Sequence, residues 1–184
     1  TSNTIFKKTY FRLFMRPLLS NYDKVLPVGE EDYDKLKSLK NCQLFKNPLD
    51  LEKFNIPNNE KKFTREFNYV FVGRNSKNKN LDQAISWFNQ NRINNDKLTI
   101  VTDSYSENNR NPKIEVYLNV SNNKLSSILG NTNFLLFPSD YEGFGLVVYE
   151  AMAFGIIPII KDLKVFKNIK HLSRIENAPP RVVR

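Results

Sequence analysis

Glu142 and Glu150 bracket the stretch Gly143-Phe144-Gly145-Leu146-Val147-Val148-Tyr149. The apolar run ahead of them, residues 134–137, reads as a buried strand that breaks at Pro138-Ser139-Asp140. A turn bracketed by Gly143 and Gly145 then opens a helical run that closes at Gly155. Strand, glycine turn and helix in this order aim unpaired backbone N–H groups and a positive helix end at one spot, where a phosphate can sit. Glu150 is the odd residue of the helix, because its neighbours Leu146, Val147, Val148, Tyr149, Ala151, Met152, Ala153 and Phe154 are apolar almost all round. A carboxylate in such a helix needs a partner. Carboxylates accept hydrogen bonds from sugar hydroxyls and amides hold phosphate, so the layout suits a phosphorylated polyol. An ordinary crossover with one surface and one buried glutamate is the alternative.

A second group of candidates follows another apolar run. Asn68-Tyr-Val-Phe-Val-Gly73 stops at a glycine, as the first strand of a Rossmann-like unit does, and Arg74 and Lys79 come next. Arginine offers a planar fork to phosphate oxygens and lysine a point charge. Taken alone, both could equally be solvated loop bases.

The elements that must position these groups alternate. A helix to about residue 91 carries Leu81, Ala84, Ile85 and Phe88 on one face, and residues 98–102 form a second strand. Residues 114–118 alternate like a strand. A helix capped by Ser121 and stopped by Gly130 turns Leu125, Ile128 and Leu129 inward. Residues 156–160 form the strand after the motif helix. Strands and helices at this spacing predict an α/β fold, a Rossmann-like parallel sheet with helices on both faces. Its ligands would bind at the carboxyl ends of the strands, where Gly73, Arg74 and residues 138–145 all fall.

The rest of the chain sets bounds. Residues 4–20 read as a helix with Ile5, Tyr10, Phe11, Phe14 and Leu18 packed inward and Lys7, Lys8 and Arg12 in water, ended or kinked by Pro17. Peripheral contact with a membrane surface is a second reading of that stretch. Residues 24–29 read as a short strand, 30–40 as a helix with acids first and lysines last, 42–48 as a strand and turn, and 55–66 as a linker. The domain plan is therefore 1–66 (helix and linker-like segment), 67–160 (Rossmann-like domain) and 161–184 (divergent tail). A net charge of +9 is scattered rather than gathered in a patch, with no nucleic-acid motif, so no nucleic-acid partner is expected. The single cysteine, Cys42, fits a reducing, cytoplasmic setting. His171 has no partner nearby in sequence and reads as a surface residue. No metal-ligand cluster is apparent.

Glu142 to Glu150, with Ala-Met-Ala-Phe-Gly155 and Pro158 after them, resembles the Glu-x7-Glu signature of retaining glycosyltransferases of the GT-B fold, family 4 type. The segment Gly73-Arg74 to Lys79-Asn80-Leu81-Asp82 resembles that family's Gly-Arg…Lys-Gly-Leu-Asp element, with Asn80 in place of glycine. Asparagine tolerates the left-handed backbone, so the turn should survive. Asn47, Asp50 and Phe54 resemble the family's interdomain region. After Thr102 and Ile160 the family's glycine turns are missing.

The resemblance implies the C-terminal, donor-binding domain of a hexosyltransferase that uses a nucleotide-diphospho sugar. Glu142, Gly143, Phe144, Gly145 and Leu146 would contact the sugar and diphosphate, Glu150 the ribose, and Arg74 and Lys79 the diphosphate beside Gly73. Asn119 and Val120 would lie along the base, through backbone atoms. The expected acceptor is a glycan or lipid-linked glycan and the expected setting is polysaccharide synthesis. Neither cofactor nor metal is expected, and a preceding Rossmann-like domain would complete the enzyme. A non-catalytic nucleotide- or sugar-binding module on a degenerate transferase fold is the alternative.

Overall fold

The computed structural model describes residues 6, 9–45, 47–56, 66–93, 95–106, 111–167, 169 and 173–174. Most of the expected linker at 55–66, and His171, lie outside them. The chain forms two compact units, Thr1–Pro48 and Leu49–Arg184. That boundary falls earlier than the one expected near residue 66, because Leu51, Phe54 and Ile56 pack into the core of the second unit.

In the first unit a π-helical turn, Phe11–Met15, runs into α1, Arg16–Ser20. Pro17 sits at the start of α1, where the missing N–H is no loss, and the widened turn before it spares a clash with its ring. Pro17 therefore does not end the helical stretch, which runs through it to Ser20. The expected inward stripe is only partly right. Phe11, Met15 and Leu19 are half-buried, whereas Tyr10, Leu13, Phe14 and Leu18 are exposed. Both stripes are apolar at helical spacing, so periodicity could not choose between them. Ile5, Lys7 and Lys8 lie outside the described residues. The expected strands at 24–29 and 42–48 reduce to one parallel bridge between Val25 and Cys42. The helix expected over 30–40 is α2, Glu30–Leu36, with Glu30, Glu31 and Asp32 in its first turn as the macrodipole favours.

Among the described residues of the second unit, six parallel strands form one sheet. Its strands are β1 (Asn68–Val72), β2 (Lys97–Thr102), β3 (Ile114–Leu118), β4 (Phe134–Phe137), β5 (Ile157–Ile160) and β6 (Ser173–Arg174), in the order β3-β2-β1-β4-β5-β6. Among the described residues three α-helices intervene: α3 (Leu81–Asn91), α4 (Asn122–Gly130) and α5 (Leu146–Ala153). Side chains alternate across a strand, and so do the two cores. Val70, Leu135 and Phe137 join Leu129 of α4 and Val148 and Ala151 of α5. Tyr69, Phe71, Phe134 and Leu136 join Leu81, Ala84, Ile85 and Phe88 of α3 on the opposite face. Ser121 Oγ accepts the Lys124 amide at 3.4 Å, the cap the sequence predicts.

Two polar residues fix the amino ends of the central strands. Asp96 is buried, and its carboxylate accepts the amides of Phe67 (2.8 Å) and Ile93 (3.0 Å). Asn133 Oδ1 accepts the Asn68 amide at 2.9 Å, and the Asn133 amide reaches Asn68 O at 2.8 Å. Both positions tie β1 to its neighbours away from the carboxyl ends. Past Ile160, Phe166 ends a 3-10 turn (Lys164–Phe166) fully buried, with its ring edge-on to Phe137 at 6.0 Å. The segment expected to diverge thus supplies a core residue.

Candidate functional site

The connections β1→β2→β3 run to one side of β1, and β4→β5→β6 to the other. The order therefore reverses between β1 and β4, and a crevice at such a reversal, outside the carboxyl ends, is where open α/β sheets bind ligands. Two loops border it: residues 73–80 after β1 and residues 138–145 after β4.

These loops are laced together. Asn78 Nδ2 donates to Tyr141 O (2.9 Å), the Asp140 amide to Asn78 O (3.0 Å) and Asn80 Nδ2 to Pro138 O (3.0 Å). Asn80 is left-handed (φ 52°), so asparagine does keep the turn where the resemblance has glycine, and its side chain adds a bond glycine could not make. Lys79 Nζ meets Glu142 Oε1 at 2.5 Å, with the two side chains 20% and 11% exposed. The same ammonium lies 5.1 Å from the Phe137 ring centroid.

At the end of the second loop Gly145 is left-handed (φ 75°) and opens α5 without a side-chain cap. The Val148 amide turns back to Gly145 O, and the Leu146 and Val147 amides meet no acceptor among the described residues. The positive end of α5 is thus open to an anion. A β-carbon on Gly145 would lie 2.7 Å from Phe166 Cε1, whereas one on Gly143 would meet nothing within 4 Å. Gly145 answers to the fold, and Gly143 faces open space. Phe144 stacks on Tyr149 with centroids 4.9 Å apart.

Glu150 is buried, as its helix predicts, and its partner is Lys53, whose Nζ lies 2.7 Å from Oε1. Arg74 is exposed and its side chain makes no hydrogen bond or ion pair among the described residues. The Gly73 amide is already given to Val101 O (3.0 Å). Asn119 is left-handed (φ 49°) and gives its amide to Thr102 O, while the Val120 side chain packs on the core. Any contact these two make with a ligand in the crevice would therefore come from backbone atoms or the Asn119 amide group.

Three further residues shape the site. Asp103, where the resemblance has a glycine turn, accepts the Asn75 amide at 2.7 Å, and that hydrogen bond holds its carboxyl below the usual range. Asp140 takes a bond from Lys161 Nζ at 2.5 Å, which likewise lowers its carboxyl, helped by Asn80. Lys161 stands at the end of β5, in the other missing glycine turn. The sequence signalled Asp103 and Lys161 only as departures from a pattern, and it gave no signal for Lys53. Carboxylates with depressed values add stability above their unfolded range and lose it as pH falls through the folded value. The stability gap between the wild type and Asp140→Asn should therefore hold from neutral pH to about pH 4.5 and close below about pH 4. Thermal unfolding across that range measures it; a gap unchanged at pH 3 would contradict the assignment.

The profile of the family described as glycosyl transferases group 1 matches residues 52–170, which include both loops of this crevice. A GDP-mannose:cellobiosyl-diphosphopolyprenol alpha-mannosyltransferase from Xanthomonas campestris is 25% identical over 177 residues, covering 87% of this chain and 46% of that protein. The chain thus spans about half the length of the curated relatives it matches. Among solved structures, TarM superposes with a TM-score of 0.68 at 18% identity, over 92% of this chain and 36% of that one. WaaG, a glycosyltransferase involved in lipopolysaccharide biosynthesis, gives 0.62 at 15% identity, over 78% and 45%. At these identities the structures speak for the fold.

Proposed function

The chain belongs to the glycosyl transferases group 1 family, with a GT-B type fold, and from that premise we propose that it is the donor-binding half of a retaining, family 4 type hexosyltransferase. The observation that carries this reading is the Lys79–Glu142 pair beside the uncapped start of α5, at the reversal of strand order. A cation, a carboxylate and open amides meet there, as a sugar diphosphate requires.

In this reading the diphosphate lies at the α5 amides with Arg74 and Lys79 on its oxygens, the sugar hydroxyls reach Glu142, and Glu150 takes the ribose. The chemistry is departure of a diphosphate from the anomeric carbon. Charge grows on the leaving oxygens, and fixed donors already aimed there stabilise it without reorganising. Arg74 and Lys79 supply that charge, so the proposed reaction needs no metal and no cofactor.

The acceptor is a glycan or lipid-linked glycan in polysaccharide synthesis, a reading supported by the diphosphopolyprenol substrate in the Xanthomonas relative's name. A further Rossmann-like domain would carry the acceptor site, so this chain alone would bind donor and transfer little. The proposed setting is the cytoplasm, with peripheral contact at the cytoplasmic face of a membrane as a second reading; among the described residues no helix is long and apolar enough to cross a membrane.

Calorimetric titration with the diphosphates of uridine, guanosine and adenosine, each with and without a hexose, tests the reading. One base should bind saturably in the absence of divalent metal, and Glu150→Ala and Arg74→Ala should each weaken it about tenfold or more. Binding of none of them by the folded chain would count against a donor site in this half.

A further inference from the structure

We infer that Lys53 is a positioning residue of the nucleotide site, holding the Glu150 carboxylate so that its second oxygen meets the ribose hydroxyls. The inference rests on the proposed contact between Glu150 and the ribose.

Lys53 is distant from Glu150 in sequence, and its segment is built to deliver it. Asp50 Oδ1 accepts the Glu52 amide at 3.2 Å, and the Phe54 amide bonds to Leu51 O at 3.1 Å, so the backbone turns just ahead of the core. Phe54 is buried and sits edge-on to Phe154, just beyond α5, with centroids 5.7 Å apart. That contact anchors the segment to the end of the helix carrying Glu150. The Lys53 ammonium lies 4.8 Å from the Phe54 ring centroid and 2.7 Å from Glu150 Oε1. Its side chain is 34% exposed against 11% for Glu150, so the pair sits at the edge of the core, with the carboxylate on the inner side.

A carboxylate has lone pairs on both oxygens. Lys53 occupies Oε1, and Oε2 accepts no hydrogen bond among the described residues. Vicinal hydroxyls bring donors to such an oxygen. The ammonium fixes the rotation of the carboxylate, so the ribose meets an acceptor already oriented. A salt bridge serving the fold alone would have the same geometry but no preference for ribose over any other part of the nucleotide.

The test uses this chain, the ribonucleoside diphosphate it binds and the 2′,3′-dideoxy counterpart. Wild type, Lys53→Met, Lys53→Arg, Glu150→Gln and the double variant Lys53→Met/Glu150→Gln are titrated calorimetrically, with folding checked by thermal unfolding. Lys53→Met should weaken the ribonucleotide about tenfold and the dideoxy nucleotide less than about twofold, and Lys53→Arg should retain most of the affinity. In the Glu150→Gln background, removing Lys53 should add no further loss. Equal weakening of both nucleotides by Lys53→Met, or losses that simply add in the double variant, would overturn the inference while leaving the donor site standing. If Lys53→Met does not fold, the ribose preference of Lys53→Arg against Lys53→Gln decides: equal preference overturns it. A wild type that fails to distinguish ribose from dideoxyribose would remove the Glu150 reading itself, and the inference with it.

Discussion

Gly145→Ala should destabilise the protein by roughly 2–5 kcal/mol, the sum of a left-handed backbone held by a residue with a β-carbon and an overpacked contact. The backbone term comes from φ 75° at the start of α5, and the packing term from Phe166 Cε1, 2.7 Å from where the new methyl would lie. Phe166 is a ring in the core rather than the free end of a flexible side chain, so it cannot step aside without opening space elsewhere. Gly143→Ala carries neither term and should unfold within about 0.5 kcal/mol of the wild type. Its methyl would instead project into the open space where the proposed donor lies, so its loss should appear in nucleotide affinity. Denaturant unfolding of the two variants side by side measures the contrast. Equal midpoints would show that Phe166 does not pack under the turn.

The second large effect concerns Lys79 and Glu142, each of which has a structural and a proposed chemical task. Lys79→Met leaves the Glu142 carboxylate, 11% exposed, without its ammonium. Stranding a group of that kind destabilises by about 1–3 kcal/mol. Glu142→Gln added to Lys79→Met removes the stranded charge and should recover most of that loss. Diphosphate affinity should behave differently, falling about tenfold or more in the single and the double variant alike, because the cation is gone from both. Unfolding midpoints and calorimetric titration on the same three proteins separate the two tasks. Affinity that recovers together with stability would assign Lys79 to the fold and take it out of the donor site.

How much of this could be read from the sequence depends on how local each cause is. The four inner strands announce themselves as apolar runs, and α3 shows its inward face in the spacing of Leu81, Ala84, Ile85 and Phe88. Asn80 could be placed in a left-handed turn because that tolerance belongs to the residue itself. The burial of Glu150 also followed from its helix alone. Other features arise only when distant segments meet. Nothing near Lys53 points to Glu150, and nothing near Asp96 tells that its carboxylate will accept the amide of Phe67. Phe166 lies in a stretch rich in lysine where the family pattern is missing, yet it is the residue that requires a glycine at 145. In the first helix the pattern is ambiguous in a different way: two adjacent apolar stripes compete, and the choice of Phe11, Met15 and Leu19 comes from the tertiary fold.

The most direct measurement is a crystal structure of this chain with the nucleoside diphosphate it binds most tightly. The diphosphate should lie at the Leu146 and Val147 amides with Arg74 and Lys79 on its oxygens, the ribose on Glu150, and an unobstructed approach past Gly143. A nucleotide bound elsewhere on the chain, or a diphosphate at that helix start with its ribose directed away from Glu150, would contradict it.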